Sequence, residues 1–188
     1  MATIETSKPI PRARESLARI DAQIAALSNP RDRALLQIFR DHWWAEVVVD
    51  VDTLVALMPD DDAVYYFGGN GLMMPEAVEH RGPAEIRTMF QTIADMGVPV
   101  AGAIEDERFG FSDWGLMFEG VLSSIYPGKF LPGAPGVEPD QTYFVQWRIM
   151  SSYPVDLDRK VMLGGNVYIG SLLHIEPAPA SAITIMNG

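Results

Sequence analysis

From Gln141 to Glu176 the apolar residues are spaced as in strands. In QTYFVQWRIMSS, Tyr143, Val145, Trp147 and Ile149 fall on one face, and Gln146 and Arg148 on the other. KVMLGGNVYIGSLLHIEP is a long apolar run interrupted by Gly164, Gly165 and Gly170. The polar segment YPVDLDRK between them reads as a wide loop over residues 153–160, so the pattern predicts two long antiparallel strands. Glycines inside strands of this length predict a sheet that bends around a ligand or a helix.

Upstream the period becomes that of helices. Residues 1–9 are predicted to be loose. A first helix is predicted from Pro11 to Leu27, with Leu17, Ile20, Ile24 and Leu27 on one stripe. SNPRD is a helix start: Ser28 or Asn29 caps and Pro30 takes the first helical position. The helix that follows runs to Val49. Leu35, Ile38, Phe39, Trp43 and Val47 mark its apolar side, and His42 and Glu46 fall inside that sector, four residues apart. A polar pair facing a core requires mutual hydrogen bonding or a cavity with something to bind.

Asp52 is predicted to cap a short helix, TLVALM, closed by Pro59. A short strand (Ala63–Phe67), a turn at GGNG (68–71) and an irregular or edge-like run to Gly82 follow. Gly82 and Pro83 open a helix with Ile86, Met89, Phe90 and Ile93 on its stripe, ended by Gly97. AGAIEDER and WGLMFEGVLSSIY read as strands either side of a turn at Gly110–Asp113. The loop PGKFLPGAPGVEPD covers a pocket mouth or is a plain surface insertion. The tail EPAPASAITIMNG docks on a neighbouring subunit or frays.

Composition narrows the function classes. The 188 residues fit one domain, with a core that needs no staples. Without cysteine there is no disulfide framework, thiol nucleophile or zinc–thiolate site. Fourteen basic against 25 acidic residues, net −11, argue against nucleic acid and anionic lipid as partners. No segment approaches the roughly 20 apolar residues of a membrane span. No cationic stretch followed by an apolar run opens the chain, so a cytoplasmic location is expected. Nucleotide and metalloprotease signatures are absent, and no cofactor or metal is expected. Ten Met and four Trp suit a core or pocket with adaptable apolar walls.

The long helix ALLQIFRDHWWAEVVVDVDTLVALM leading into VYYF, then HRGPAEIRTMF, then QTYFVQWRIM and VMLGGNVYIG, resemble the NTF2-like superfamily and its SnoaL-like group in their order. The resemblance spans residues 28–175. It implies an α+β cone-shaped barrel whose curved antiparallel sheet wraps against helices around a mostly apolar pocket. It divides the chain into an N-terminal extension helix (1–27), an NTF2-like domain (28–176) and a tail (177–188). It also implies a homodimer built on the outer face of the sheet. Members include cofactor-free polyketide cyclases, ketosteroid isomerases and scytalone dehydratase, and also proteins that only bind. The strand aspartate common in the cyclases and isomerases has no counterpart here.

The expected pocket draws on several elements. His42 and Glu46 come from the long helix, and Tyr65 or Tyr66 from the first strand, where alternation lets only one point inward. His80 precedes the third helix. Met117 and Glu119 share a strand face, although Glu119 can instead pair with Arg148. Tyr143, Trp147, Asn166 and Tyr168 fall on faces expected inside. These residues suit cyclisation, dehydration or isomerisation of a hydrophobic carbonyl compound, each of which begins with removal of a proton beside the carbonyl. His42 is the candidate base and Glu46 orients it. Tyr65, Tyr168 and Asn166 are enolate donors, and His80 is an acid. Trp147 forms an apolar wall, and Tyr66, Met117, Glu119 and Tyr143 are further substrate contacts. The alternatives are a non-catalytic binder of an apolar molecule and a protein-interaction module.

Overall fold

The computed structural model describes residues 6–68, 76–179 and 181–187. Helix α1 (Ala13–Ala26) buries Ala13, Ser16 and Ile20, with Leu17, Ile24 and Leu27 half-buried beside them. Asn29 then accepts a hydrogen bond from the Arg31 N–H (2.9 Å) and Pro30 occupies the first turn, which starts α2 (Pro30–Val48). Val49 ends it in the left-handed region (φ 60°), uncommon for a β-branched residue, and turns the chain sharply. The short helix α3 (Val51–Ala56) follows at once. Its cap is Asp50, which accepts from the Thr53 N–H (3.0 Å), and not Asp52, which lies in its first turn.

Strands β1 (Val64–Gly68) and β2 (Val78–Arg81) pair antiparallel and lead into helix α4 (Gly82–Asp95). The predicted turn at 68–71 and most of the irregular run after it lie outside the described residues. The sheet continues with β3 (Ala103–Ser112), β4 (Gly115–Pro127), β5 (Thr142–Asp156), the two-residue β6 (Val161–Met162) and β7 (Gly164–Pro177). The order is β2-β1-β7-β5-β4-β3, with β6 on β5; β1 and β7 run parallel and the other pairs antiparallel. The wide loop predicted at 153–160 is narrower, because β5 continues through Asp156.

The architecture is α+β: helices first, then a curved, unclosed sheet wrapped around them. Register shifts in β3 between Glu105 and Arg108, and between β5 and β7 around Trp147, bend the strands. Phe39 and Trp43 of α2 and Ile86 and Phe90 of α4 meet Phe118, Ile149 and Val167 of the concave face in the main core. On the convex face, helix α5 (Ala182–Asn187) seats Ala182 and Met186 against Ala103, Ile125 and Phe144. The tail thus docks on its own sheet, because those three residues form an apolar socket for it. Ile10 joins the same cluster, and the Ser7 N–H binds Glu176 (2.8 Å), which straps the N-terminal segment alongside. Burial opposes ionisation of Glu176, but His174 and the Ser7 and Lys8 backbone N–H groups outweigh it and hold the carboxyl down to about 2.

Edge strand β3 is closed off by α1. The buried Ser16 hydroxyl donates to the Ile104 carbonyl (2.7 Å) and accepts from the Ile104 N–H (3.0 Å). Ser16→Ala would leave the Ile104 N–H unpaired in the core and its carbonyl with the Arg19 guanidinium alone. It is expected to cost about 1–3 kcal/mol of stability, read as a lower urea midpoint at unchanged m-value.

Candidate active site

The α-helical repeat puts His42 and Glu46 one turn apart on the buried face of α2. Opposite them, alternation in β1 points Tyr65 inward. The Tyr65 hydroxyl donates to Glu46 Oε1 (2.9 Å), and His42 Nε2 lies 3.2 Å from the same hydroxyl and 3.4 Å from Glu46 Oε1. A phenol has one proton to give. With that proton on Glu46, His42 Nε2 is assigned as the donor to the phenol oxygen. His42 Nδ1 is buried and has no hydrogen-bond partner among the described residues.

Tyr153 of β5 completes the group, its ring centroid 5.5 Å from that of His42. Room for two tyrosines side by side comes from Gly165 on β7, the register partner of Tyr65. A Cβ there would stand 2.9 Å from the Tyr153 ring and 3.2 Å from the Tyr65 ring. Burial first, and the negative charge of Glu46 second, push both phenols well above the usual tyrosine range, so both stay neutral donors. Burial raises Tyr126 of β4 likewise.

Glu46, Tyr65, Tyr126, Ser151 and Tyr153 are the main polar groups in a cavity of about 340 Å³, whose walls are otherwise mostly apolar. Phe39, Met89, Ile93, Ile104, Leu122 and Ile149 are among those walls. The cavity opens where exposed or half-buried residues line it: Val78, His80, Met96 and Lys129. His80 is there because β2 sets it opposite Tyr65, on the same sheet face. The Pro/Gly loop after β4 contributes Lys129, Phe130 and Pro132. Among the described residues no group of three His, Asp or Glu side chains is placed to hold a metal, and no helix is long and apolar enough to cross a membrane.

Several expected positions are corrected. His42 touches the carboxylate and the phenol, but it is fully buried behind them and does not line the cavity. Tyr66, Asn166 and Tyr168 face the convex side: the residues turned inward on β1 and β7 are Tyr65, Val167 and Ile169, and Tyr66 packs on Tyr168 at 5.6 Å. Met117 and Glu119 are exposed, because β4 turns its even positions, Leu116, Phe118 and Leu122, to the concave core and α5 covers only the later odd ones, such as Ile125. Glu119 lies 4.0 Å from Arg148 on that outer face. Tyr143 and Trp147 are buried on the concave side, but under Leu131 and Ala134 of the loop and not against the cavity.

Sequence reasoning missed Tyr126, Ser151 and Tyr153. The last two continue the Ile149 face at i+2 and i+4; reading YPVDLDRK as a loop hid Tyr153, and Ser151 lies in the predicted strand but was not singled out. Tyr126 continues the Phe118 and Leu122 face of β4, which has the stronger apolar alternation once Glu119 is put outside.

No protein-family model matches the chain, and no curated protein matches it either. Solved structures do. A provisionally designated SnoaL-like polyketide cyclase from Shewanella denitrificans OS-217 superposes with a TM-score of 0.56 at 14% identity, over 75% of this chain and 91% of that one. A second from Shewanella putrefaciens CN-32 gives 0.54 at 16% identity, over 88% and 92%. The hexachlorocyclohexane dehydrochlorinase LinA-type3 from Novosphingobium barchaimii LL02 gives 0.52 at 16% identity, over 80% and 92%. The order of elements, the curved sheet and these superpositions agree: the chain has the NTF2-like fold.

Proposed function

We propose that this protein is a cofactor-independent acid–base enzyme that removes a proton beside the carbonyl of a hydrophobic small molecule, leading to cyclisation, dehydration or isomerisation. The observation that carries this reading is the Glu46 carboxylate, held by the Tyr65 hydroxyl at 2.9 Å and turned into an apolar cavity. A carboxylate in that setting is poorly solvated and lies within reach of a bound C–H, as general-base catalysis needs. Glu46 takes the place of His42 as base, because only Glu46 lines the cavity. His42 and Tyr65 are positioning residues that fix the carboxylate from behind. Neutral Tyr153 and Ser151 donate to the growing enolate oxygen, and the Phe39 and Ile149 walls hold the substrate's apolar body. The names of the similar folds, polyketide cyclase and dehydrochlorinase, fit the same first step, since elimination of HCl also calls for a base.

A second copy of the chain is proposed as partner. Met117, Met150 and Tyr168 are 48%, 52% and 45% exposed on neighbouring convex strands, beyond the part covered by α5. An apolar surface on a sheet of this kind suits an isologous dimer. Light scattering is expected to give the dimer mass, and Met150→Asp the monomer; a monomeric wild type would remove this claim.

The catalytic reading is tested by screening hydrophobic β-keto and hydroxy-carbonyl compounds for turnover, then assaying variants on whichever compound reacts. Glu46→Gln keeps the shape, removes the base and is expected to lower kcat about 100- to 10,000-fold. Tyr65→Phe, which loosens the carboxylate, is expected to cost about 10-fold. Full turnover by a folded Glu46→Gln protein would sink the mechanism. Tight binding of every compound with none converted would make this a binding protein.

A further inference from the structure

Polar groups line the cavity in two places. One is the carboxylate–hydroxyl group already described. The other is the opening, where Lys129 is the single Lys or Arg among the lining residues. Lys129 is exposed and makes no ion pair among the described residues, although Glu138 and Asp140 belong to the same loop. Its ammonium lies 5.1 Å from the centroid of Phe130, itself a lining residue.

The turn that carries Lys129 is built and held. Gly128–Phe130 forms one 3₁₀ turn, with the Gly128 N–H on the Gln141 carbonyl (2.7 Å) and the Lys129 N–H on the Pro139 carbonyl (3.0 Å). A Cβ at Gly128 would meet the Glu138 carbonyl oxygen at 2.0 Å, so the two arms of the loop touch through a glycine. The Tyr143 hydroxyl accepts from the Glu138 N–H (2.9 Å), and Leu131 and Ala134 are buried against Tyr143 and Trp147. The aromatic residues expected to contact substrate thus anchor the loop instead. Lys129 also stands three residues beyond Tyr126, which lines the cavity too, so a short piece of chain links the opening to the inner phenols.

Resting on the reading of Glu46 as a base at the inner end, we infer that Lys129 is a specificity-determining residue that binds an anionic group of the substrate at the cavity opening. The substrate class is an apolar carbonyl compound that ends in an oxyanion, such as an aryl keto acid. Its carbonyl reaches the phenols, its apolar body fills the walls, and its carboxylate meets Lys129. In a chain of net charge −11, a cation placed at the opening also offsets the diffuse repulsion of an anionic ligand.

The test is binding, so it does not depend on turnover. The probes are 4-oxo-4-phenylbutanoate and its uncharged methyl ester, titrated by calorimetry into wild type, Lys129→Met and Lys129→Arg. Wild type is expected to bind the acid about fivefold more tightly than the ester, the scale of a partly exposed ion pair, with the preference shrinking in high salt. Lys129→Met is expected to abolish the preference while leaving ester affinity unchanged, and Lys129→Arg to retain it. An acid-to-ester ratio that is the same in wild type and Lys129→Met overturns the inference and leaves the Glu46 mechanism standing. Loss of both ligands' binding in wild type overturns the inference and the ligand cavity together. Loss of turnover in Glu46→Gln is read independently of either.

Discussion

The arrangement depends on keeping one carboxylate inside the molecule. Burying an ionised Glu46 without partners would cost several kcal/mol, more than a domain of this size has to spare. The Tyr65 hydroxyl supplies the direct partner, and a hydrogen bond to a charged group is the stronger kind, about 1.5–3 kcal/mol; His42 Nε2 donates to the phenol oxygen and holds that hydroxyl in place. Their geometry then constrains other elements. Helix α2 must present two residues one turn apart, β1 must point Tyr65 inward, and β7 must have no side chain at Gly165 where the two tyrosines lie. A carboxylate satisfied from behind by protein still has its front face free for a ligand.

The same sheet is asked to do different work on its two faces. The concave face, bent by the irregularities in β3 and β7, is filled by α2 and α4 at one end and by the loop at the other, with the cavity between. Tyr143 and Trp147 are large enough to have walled a pocket. They are spent on fixing the loop, and the loop in turn sets Phe130 and Lys129 at the opening. The convex face is covered in part by α5 and the N-terminal strap, which leaves Met117, Met150 and Tyr168 uncovered.

Much of the fold was legible because each signal was local. The Asn29–Pro30 start of α2, the Gly82–Pro83 start of α4 and the alternation in β5 are short-range preferences of backbone and side chain, and all appear where they were read. The meeting of His42 with Glu46 was legible for the same reason, since a helical repeat alone brings residues four apart together. Met117 and Glu119 were placed on the wrong face, because a strand read one position out of phase turns every side chain over. Asn166 and Tyr168 failed likewise, in a glycine-rich strand where apolar residues occupy both faces and alternation gives no direction.

By itself the sequence determined an α+β chain with helices first and a long bent sheet last, and a carboxylate–imidazole pair on the buried side of one helix. Period and capping are properties of a few adjacent residues, so they need no knowledge of the rest. Tertiary structure alone decided which member of that pair faces open space. His42 and Glu46 occupy the same helical sector, and only the position of the cavity relative to α2 leaves the histidine sealed and the glutamate exposed to a ligand. Tertiary structure also brought in Tyr126, Ser151 and Tyr153, up to 107 positions from Glu46 (153 minus 46), through the register of strands that are distant in the chain. Such register follows from the closure of the whole sheet on its helices, and no window of sequence contains it.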